Sequence, residues 1–271
     1  MSASVREAGG IERAGTSAET GAAARLLALG RAELTLLGRN KTALTTSLVI
    51  PVALAFAMKG AVENMVAGTG LSVGSALLPA TLGYVLVFAV YSSLTGSYTA
   101  RREELVLKRL RTGELRDLEI LAGTALPAVL LGLVQCVLLV VLGGVLLGAG
   151  PPTAPHLLVA GVLLGMAATV GFAALSSVLA KSAEGAQLAV LPFMMVSLAG
   201  SGMVVPLDIL PERVASLLEL LPLSPAMELI RAGWTGGAGL KETVGQLITG
   251  LVWAGLALFA VQRWFRWEPR R

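Results

Sequence analysis

Six apolar stretches, each close to the ~20 residues that a bilayer crossing requires, divide most of this chain. They run from Thr42 to Met58, Ala76 to Ala100, Ile120 to Gly148, Leu157 to Ala180, Ala186 to Val205 and Thr243 to Gln262. The pattern predicts an all-α, polytopic membrane protein with six transmembrane helices. The third stretch is long enough to tilt or bend, and Pro127 supplies a cause. Pro51, Pro79 and Pro192 read as prolines tolerated within membrane helices. Ahead of these runs, residues 1–21 lack any apolar period and read as a disordered cytoplasmic tail. No signal peptide is expected there, because no apolar stretch closely follows the first arginines. Over residues 22–41, Leu26, Leu27, Leu29, Leu34, Leu36 and Leu37 share one side of a helical wheel, with Arg25, Arg31 and Arg39 off it. An interfacial amphipathic helix is expected, with Glu33 intruding on its apolar arc. Residues 42–271 then form the membrane domain.

Composition agrees. Of 271 residues 55% are hydrophobic and 14% charged, and the mean hydropathy is +0.78; soluble domains rarely reach such values. The placement of charge says more than its sum. With the N-terminus inside, all but four of the 21 lysines and arginines fall on the cytoplasmic side; the exceptions are Lys59, Arg213, Arg231 and Lys241. That bias places both termini in the cytoplasm. In a bacterium the site is the cell (inner) membrane.

Most chemistry is excluded. No span carries an ionisable residue near its centre, which argues against a carrier with its own proton relay. The only histidine, His156, follows a run of prolines at an outer helix end and has no triad partner. The Ala199-Gly200-Ser201-Gly202 stretch lacks the first glycine of an intramembrane serine protease motif, and no span offers a histidine. No cluster of metal ligands exists. Gly68, Gly70 and Gly74 miss the dinucleotide-binding spacing, and no Gly-Lys-Ser or Gly-Lys-Thr phosphate loop is present. Cys136 lies within an apolar run and reads as a small buried hydrophobe. The chain is therefore expected to be no enzyme, to hold no cofactor or metal and to bind no nucleic acid. Polar residues inside the spans are mild; Tyr91, Ser92, Thr95, Ser197 and Ser201 are the candidates for a substrate pathway, with interhelical hydrogen bonding the plainer reading. Gly144 with Gly148, and Gly161 with Gly165, mark close helix packing, more simply within one subunit than between two.

One segment is unlike its surroundings. From Arg101 to Glu119 six basic and five acidic residues form a charged island between the second and third spans. Glu104 lies four residues before Lys108, in the favourable order for an ion pair. Leu105, Val106, Leu107 and Leu110 give the island a greasy side, and Gly113 is placed to stop its helix. From physics alone a solvated loop and a docking elbow are equally good accounts. The residues Arg101, Arg102 and Glu103, followed by Leu107, Arg109, Leu110, Arg111 and Thr112, resemble a pattern found after the second membrane helix in type-2 ABC-transporter permeases, including bacterial drug-export permeases.

A second segment resembles the same family. Gly202, Pro206, Leu207, Leu210, Pro211, Leu221, Pro222, Leu223 and Arg231 follow its order between the fifth and sixth spans. Apolar Val214, Leu217, Leu218, Leu220 and Leu221 are too few to cross a bilayer, and Pro211, Pro222 and Pro225 break the run. An outer re-entrant helical hairpin over residues 204–234 is expected; a seventh full span is the competing account, and it would carry the basic C-terminus outside.

The resemblance implies that the elbow at 101–119 is a coupling helix docking on a separate ATP-binding subunit, which would bind ATP and magnesium. It further implies a second permease copy, a homodimer in the simplest case, and export of a hydrophobic or amphipathic compound such as a drug, antibiotic or lipid. The alternative function is a membrane assembly or immunity protein that keeps the permease fold without transport.

Overall fold

A computed structural model describes residues 73–113, 116–146, 148–204 and 210–268, together with scattered positions before residue 73. Most of these residues are helical, with no strand among them. The tail at 1–21, nearly all of the interfacial helix, most of the first apolar run with Pro51, and Pro206 and Leu207 lie outside the described residues.

The elements, in order, are α1 (Val73–Glu103), α2 (Val106–Arg111), α3 (Asp117–Leu146), α4 (Pro155–Leu179), α5 (Ala186–Gly200), α6 (Glu212–Leu218), α7 (Ser224–Thr235) and α8 (Leu240–Trp264). Four of them, α1, α3, α4 and α8, are long and apolar enough to cross a membrane. At ~1.5 Å per residue, α5 falls short of a full bilayer core. Pro192 has no N–H to offer a preceding carbonyl, and α5 is interrupted beside it, at Val190.

The centre of the bundle is α1. Its apolar segment is 72% buried, against 33% for α3 and 22% for α8. Residues Val85–Ser92 of α1 wind as a π-helix, and Val85, Leu86, Val87, Val90 and Tyr91 within that stretch are all buried. A helix apolar on nearly every side suits such a central position. The opposite extreme is α8, whose Leu251, Leu256 and Phe259 are exposed as lipid-facing residues would be.

At one end of the bundle α7 seats deeply against α4. A Cβ on Gly161 would lie 2.7 Å from the Ala226 carbonyl oxygen and 2.8 Å from the Ile230 nitrogen, so the two backbones touch there. The packing role expected of Gly161 is thus within one subunit. The Ala154 N–H donates to the Gly233 carbonyl at 3.0 Å, tying the α3–α4 connection to α7. Arg231 pairs with Glu228 and donates to the Ser201 and Gly202 carbonyls at 3.3 and 3.4 Å, partnering backbone left over at the end of α5. The segment expected as a hairpin thus holds two short helices of different character: α6 has no buried residue, whereas eight residues of α7, from Ser224 to Trp234, are buried.

Candidate functional site

The charged island lies at the other end of the bundle. The second span does not stop where the charges begin, because α1 continues through Arg101, Arg102 and Glu103. Arg102 is 1% exposed and donates to the Ala180 carbonyl. Ala180 is the extended residue that ends α4, so the guanidinium partners a carbonyl beyond the last helical turn. Beside it the Glu103 carboxylate accepts the Ala183 N–H at 2.9 Å. The start of the elbow is therefore fastened to the link between α4 and α5.

The chain then breaks sharply. Leu105 adopts φ +61°, the left-handed region, at a cost of about 1–2 kcal/mol for a residue with a side chain. This break separates Glu104 from α2, and Lys108 points elsewhere: its ammonium meets the Glu268 carboxylate at 2.7 Å. Six residues long, α2 is amphipathic. Leu107 is fully buried and Leu110 half-buried, while Lys108, Arg109 and Arg111 are exposed. The Arg111 Nε lies 3.0 Å from Asp117 Oδ1, and its guanidinium sits 5.0 Å from the centre of the Trp267 ring, a cation–π arrangement. Thr112 Oγ1 donates to the Arg109 carbonyl at 2.7 Å, and the Gly113 N–H to the Leu110 carbonyl at 3.2 Å, closing α2 where glycine is expected to stop it. Beyond the turn, the Arg116 N–H donates to Glu119 at 3.0 Å, with Asp117 and Glu119 in the first turn of α3, where negative charge complements the helix dipole.

A third body completes this end. Phe265 meets Tyr98 edge-on at 6.1 Å and Trp267 at 5.0 Å, and the Tyr98 hydroxyl donates to the Leu121 carbonyl at 2.9 Å. Lys108, Arg111, Thr112, Arg266, Trp267 and Glu268 enclose a cleft of about 640 Å³. Ala180, Ala183, Phe265, Trp267 and Glu268 escape a reading of the sequence that uses the last residues only for their positive charge. The alternation of aromatic and charged residues from Trp264 to Glu268 was the available signal.

Several interior polar residues hydrogen-bond to one another or to the backbone. The Tyr91 hydroxyl lies 2.9 Å from Ser176 Oγ and 3.2 Å from the Val190 carbonyl, and Thr95 donates to the Tyr91 carbonyl at 2.8 Å. Tyr91, Phe193 and Phe172 form an aromatic ladder with centroids 4.6 and 4.5 Å apart, which Trp253 extends at 5.9 Å. Ser92 is half-buried. Ser201 is buried with its hydroxyl 3.5 Å from that of Ser224, and the buried Ser197 hydroxyl has no partner among the described residues. None of these five candidates lines the apolar cavity of about 490 Å³ between α1, α3, α4 and α8, nor the one of about 370 Å³ beside Cys136. In the segment expected as a hairpin, Pro211 precedes α6 and is exposed, as is Leu217, whereas Leu218 and Pro222 are half-buried. Among the described residues no group of His, Cys, Asp and Glu could hold a metal.

The ABC-2 type transporter family model matches residues 24–234. The chain belongs to that family. It is accordingly the membrane-spanning permease component of an ABC transporter, a component that works with an ABC-type ATP-binding subunit. The match takes in α2, α6 and nearly all of α7, and stops before α8. No curated protein matches the chain.

Proposed function

We propose that this ABC-2 permease exports a hydrophobic or amphipathic compound, a drug, antibiotic or lipid, across a bacterial cell membrane. In this reading α2 is the contact for the ATP-binding subunit. The observation that carries it is that α2 is held from several sides yet offers Arg109 to solvent. Leu107 anchors it inward, Asp117 and Trp267 hold Arg111, and Glu268 holds Lys108. A lever needs both rigidity and an open face, and a solvated loop needs neither.

ATP and magnesium bind the partner, which closes on ATP and pushes the two elbows of a permease dimer. Six spans are completed by residues 42–58 and by α5, and both termini face the cytoplasm, the side where the elbow, Lys181 and Arg263 concentrate positive charge. The mostly apolar linings of the two grooves between the helices support an apolar cargo over an ion or sugar chain. The α6–α7 hairpin rests in the outer leaflet.

The test is reconstitution of the permease with its co-purifying ATP-binding subunit in liposomes, followed by ATP hydrolysis and ATP-driven movement of a panel of amphiphilic dyes, antibiotics and fluorescent lipids. Stimulated hydrolysis with vectorial movement of at least one compound is expected. An ATP-hydrolysing pair that moves none of them would contradict the assignment of cargo.

A further inference from the structure

The C-terminal residues are doing something that a membrane anchor does not require. Aromatic and basic residues at the end of a last span ordinarily face the lipid headgroups, and Trp264, 61% exposed, is free to do so. After Trp264 the chain leaves the helix, with Phe265 extended at φ −62° and ψ 131°, and turns back onto the protein. Phe265 and Trp267 are half-buried. From Tyr98 in α1 through Phe265 to Trp267 and on to Arg111 in α2, ring contacts run without a gap, and the Lys108–Glu268 pair closes the end.

We infer that Phe265–Glu268 is a latch that makes α8 part of the lever, so that a push on α2 reaches α8 as well as the two spans α2 joins in sequence. This rests on the reading of α2 as the contact for the ATP-binding subunit. Two features of the bundle call for such a part. The apolar segment of α8 is only 22% buried, so most of its surface faces away from the bundle and it meets the rest of the protein along one side. The apolar cavity walled on one side by Leu251, Ala254, Leu258 and Val261 of α8 changes shape if that helix moves. The exposed ion pair alone is a weak connection. Combined with the aromatic run and with Arg111 gripped from two sides, it forms a contiguous network with a discrete broken state.

The experiment uses the purified permease in lipid nanodiscs, alone and with its ATP-binding subunit, and follows amide hydrogen exchange. Trp267→Ala combined with Glu268→Lys severs the latch, and the exchange Lys108→Glu with Glu268→Lys restores the ion pair with Trp267 intact. Without partner, severing is expected to speed exchange in both α2 and the last turn of α8, at least threefold. In the complex, a non-hydrolysable ATP analogue should alter exchange along α8 in the wild type and in the charge-exchanged protein. The severed protein should keep the subunit yet lose that response. Unchanged exchange in α2 on severing, or an α8 response that survives it, overturns the latch; loss of the subunit itself would make the segment a docking surface and overturn its transmitting role. Arg109→Glu distinguishes the two levels: if that variant keeps the complex and its ATP response, the elbow reading fails, while the partner-free exchange still decides whether the latch exists.

Discussion

The Arg102 guanidinium donates to the Ala180 carbonyl at 2.5 Å across 78 positions of sequence, and it does so while almost wholly buried. A hydrogen bond involving a charged group contributes about 1.5–3 kcal/mol, and the carbonyl left behind has no water to turn to. Arg102→Leu should therefore lower the stability of the detergent-solubilised permease by about 2 kcal/mol. Arg102→Lys should recover less than half, because lysine lacks the planar fork. Thermal unfolding followed by circular dichroism is the measurement; wild-type midpoints for both variants would show that this contact braces nothing.

Gly161 and Gly245 provide a matched pair. Any side chain at Gly161 meets the backbone of α7, which has little room to yield, whereas a Cβ at Gly245 meets nothing within 4 Å. Gly161→Ala should cost about 1–3 kcal/mol as an overpacked contact. Gly245→Ala, in the interior of an exposed helix, should be neutral or stabilise by up to about 1 kcal/mol. Equal effects on the thermal midpoint would contradict the close α4–α7 crossing.

Orientation is open to labelling. In a background of Cys136→Ala, cysteines at exposed Ala238 and exposed Glu184 sit at opposite ends of the bundle. An impermeant thiol reagent added outside intact cells should modify Ala238→Cys and spare Glu184→Cys. The reverse pattern would invert the topology.

Much of this arrangement was legible in the sequence, for identifiable reasons. Four of the six apolar runs coincide with helices long and apolar enough to cross a membrane, and the island from Arg101 stands out because charge is expensive anywhere but at a membrane surface. The break at Leu105 was not legible: nothing in a leucine announces a left-handed backbone, which here lies between buried Arg102 and buried Leu107. The same holds for Lys108. Its local partner by spacing was Glu104, and its actual partner Glu268 lies 160 positions away. The tail from Trp264 to Glu268 carried a signal, but a count of positive charges discards the aromatic residues that make the contact. The depth at which α7 seats against α4 also escaped, because a run of 12 residues is too short to announce it, and the close approach at Gly161 and Gly233 is a tertiary feature.

The central claim is that α2 docks on the ATP-binding subunit, and Arg109 tests it most directly. Arg111 is a poorer probe, since Asp117 and Trp267 already hold it and its loss would disturb the permease itself. The exposed Arg109 side chain can be reversed in charge at little cost to the fold, as surface substitutions are usually worth within about 0.5 kcal/mol. At a desolvated interface the same reversal costs about 2–5 kcal/mol. The measurement is the affinity of the purified permease for its ATP-binding subunit, by titration in nanodiscs, for wild type and Arg109→Glu at equal thermal stability. The account predicts a loss of affinity of about 30-fold or more; an unchanged affinity would contradict it.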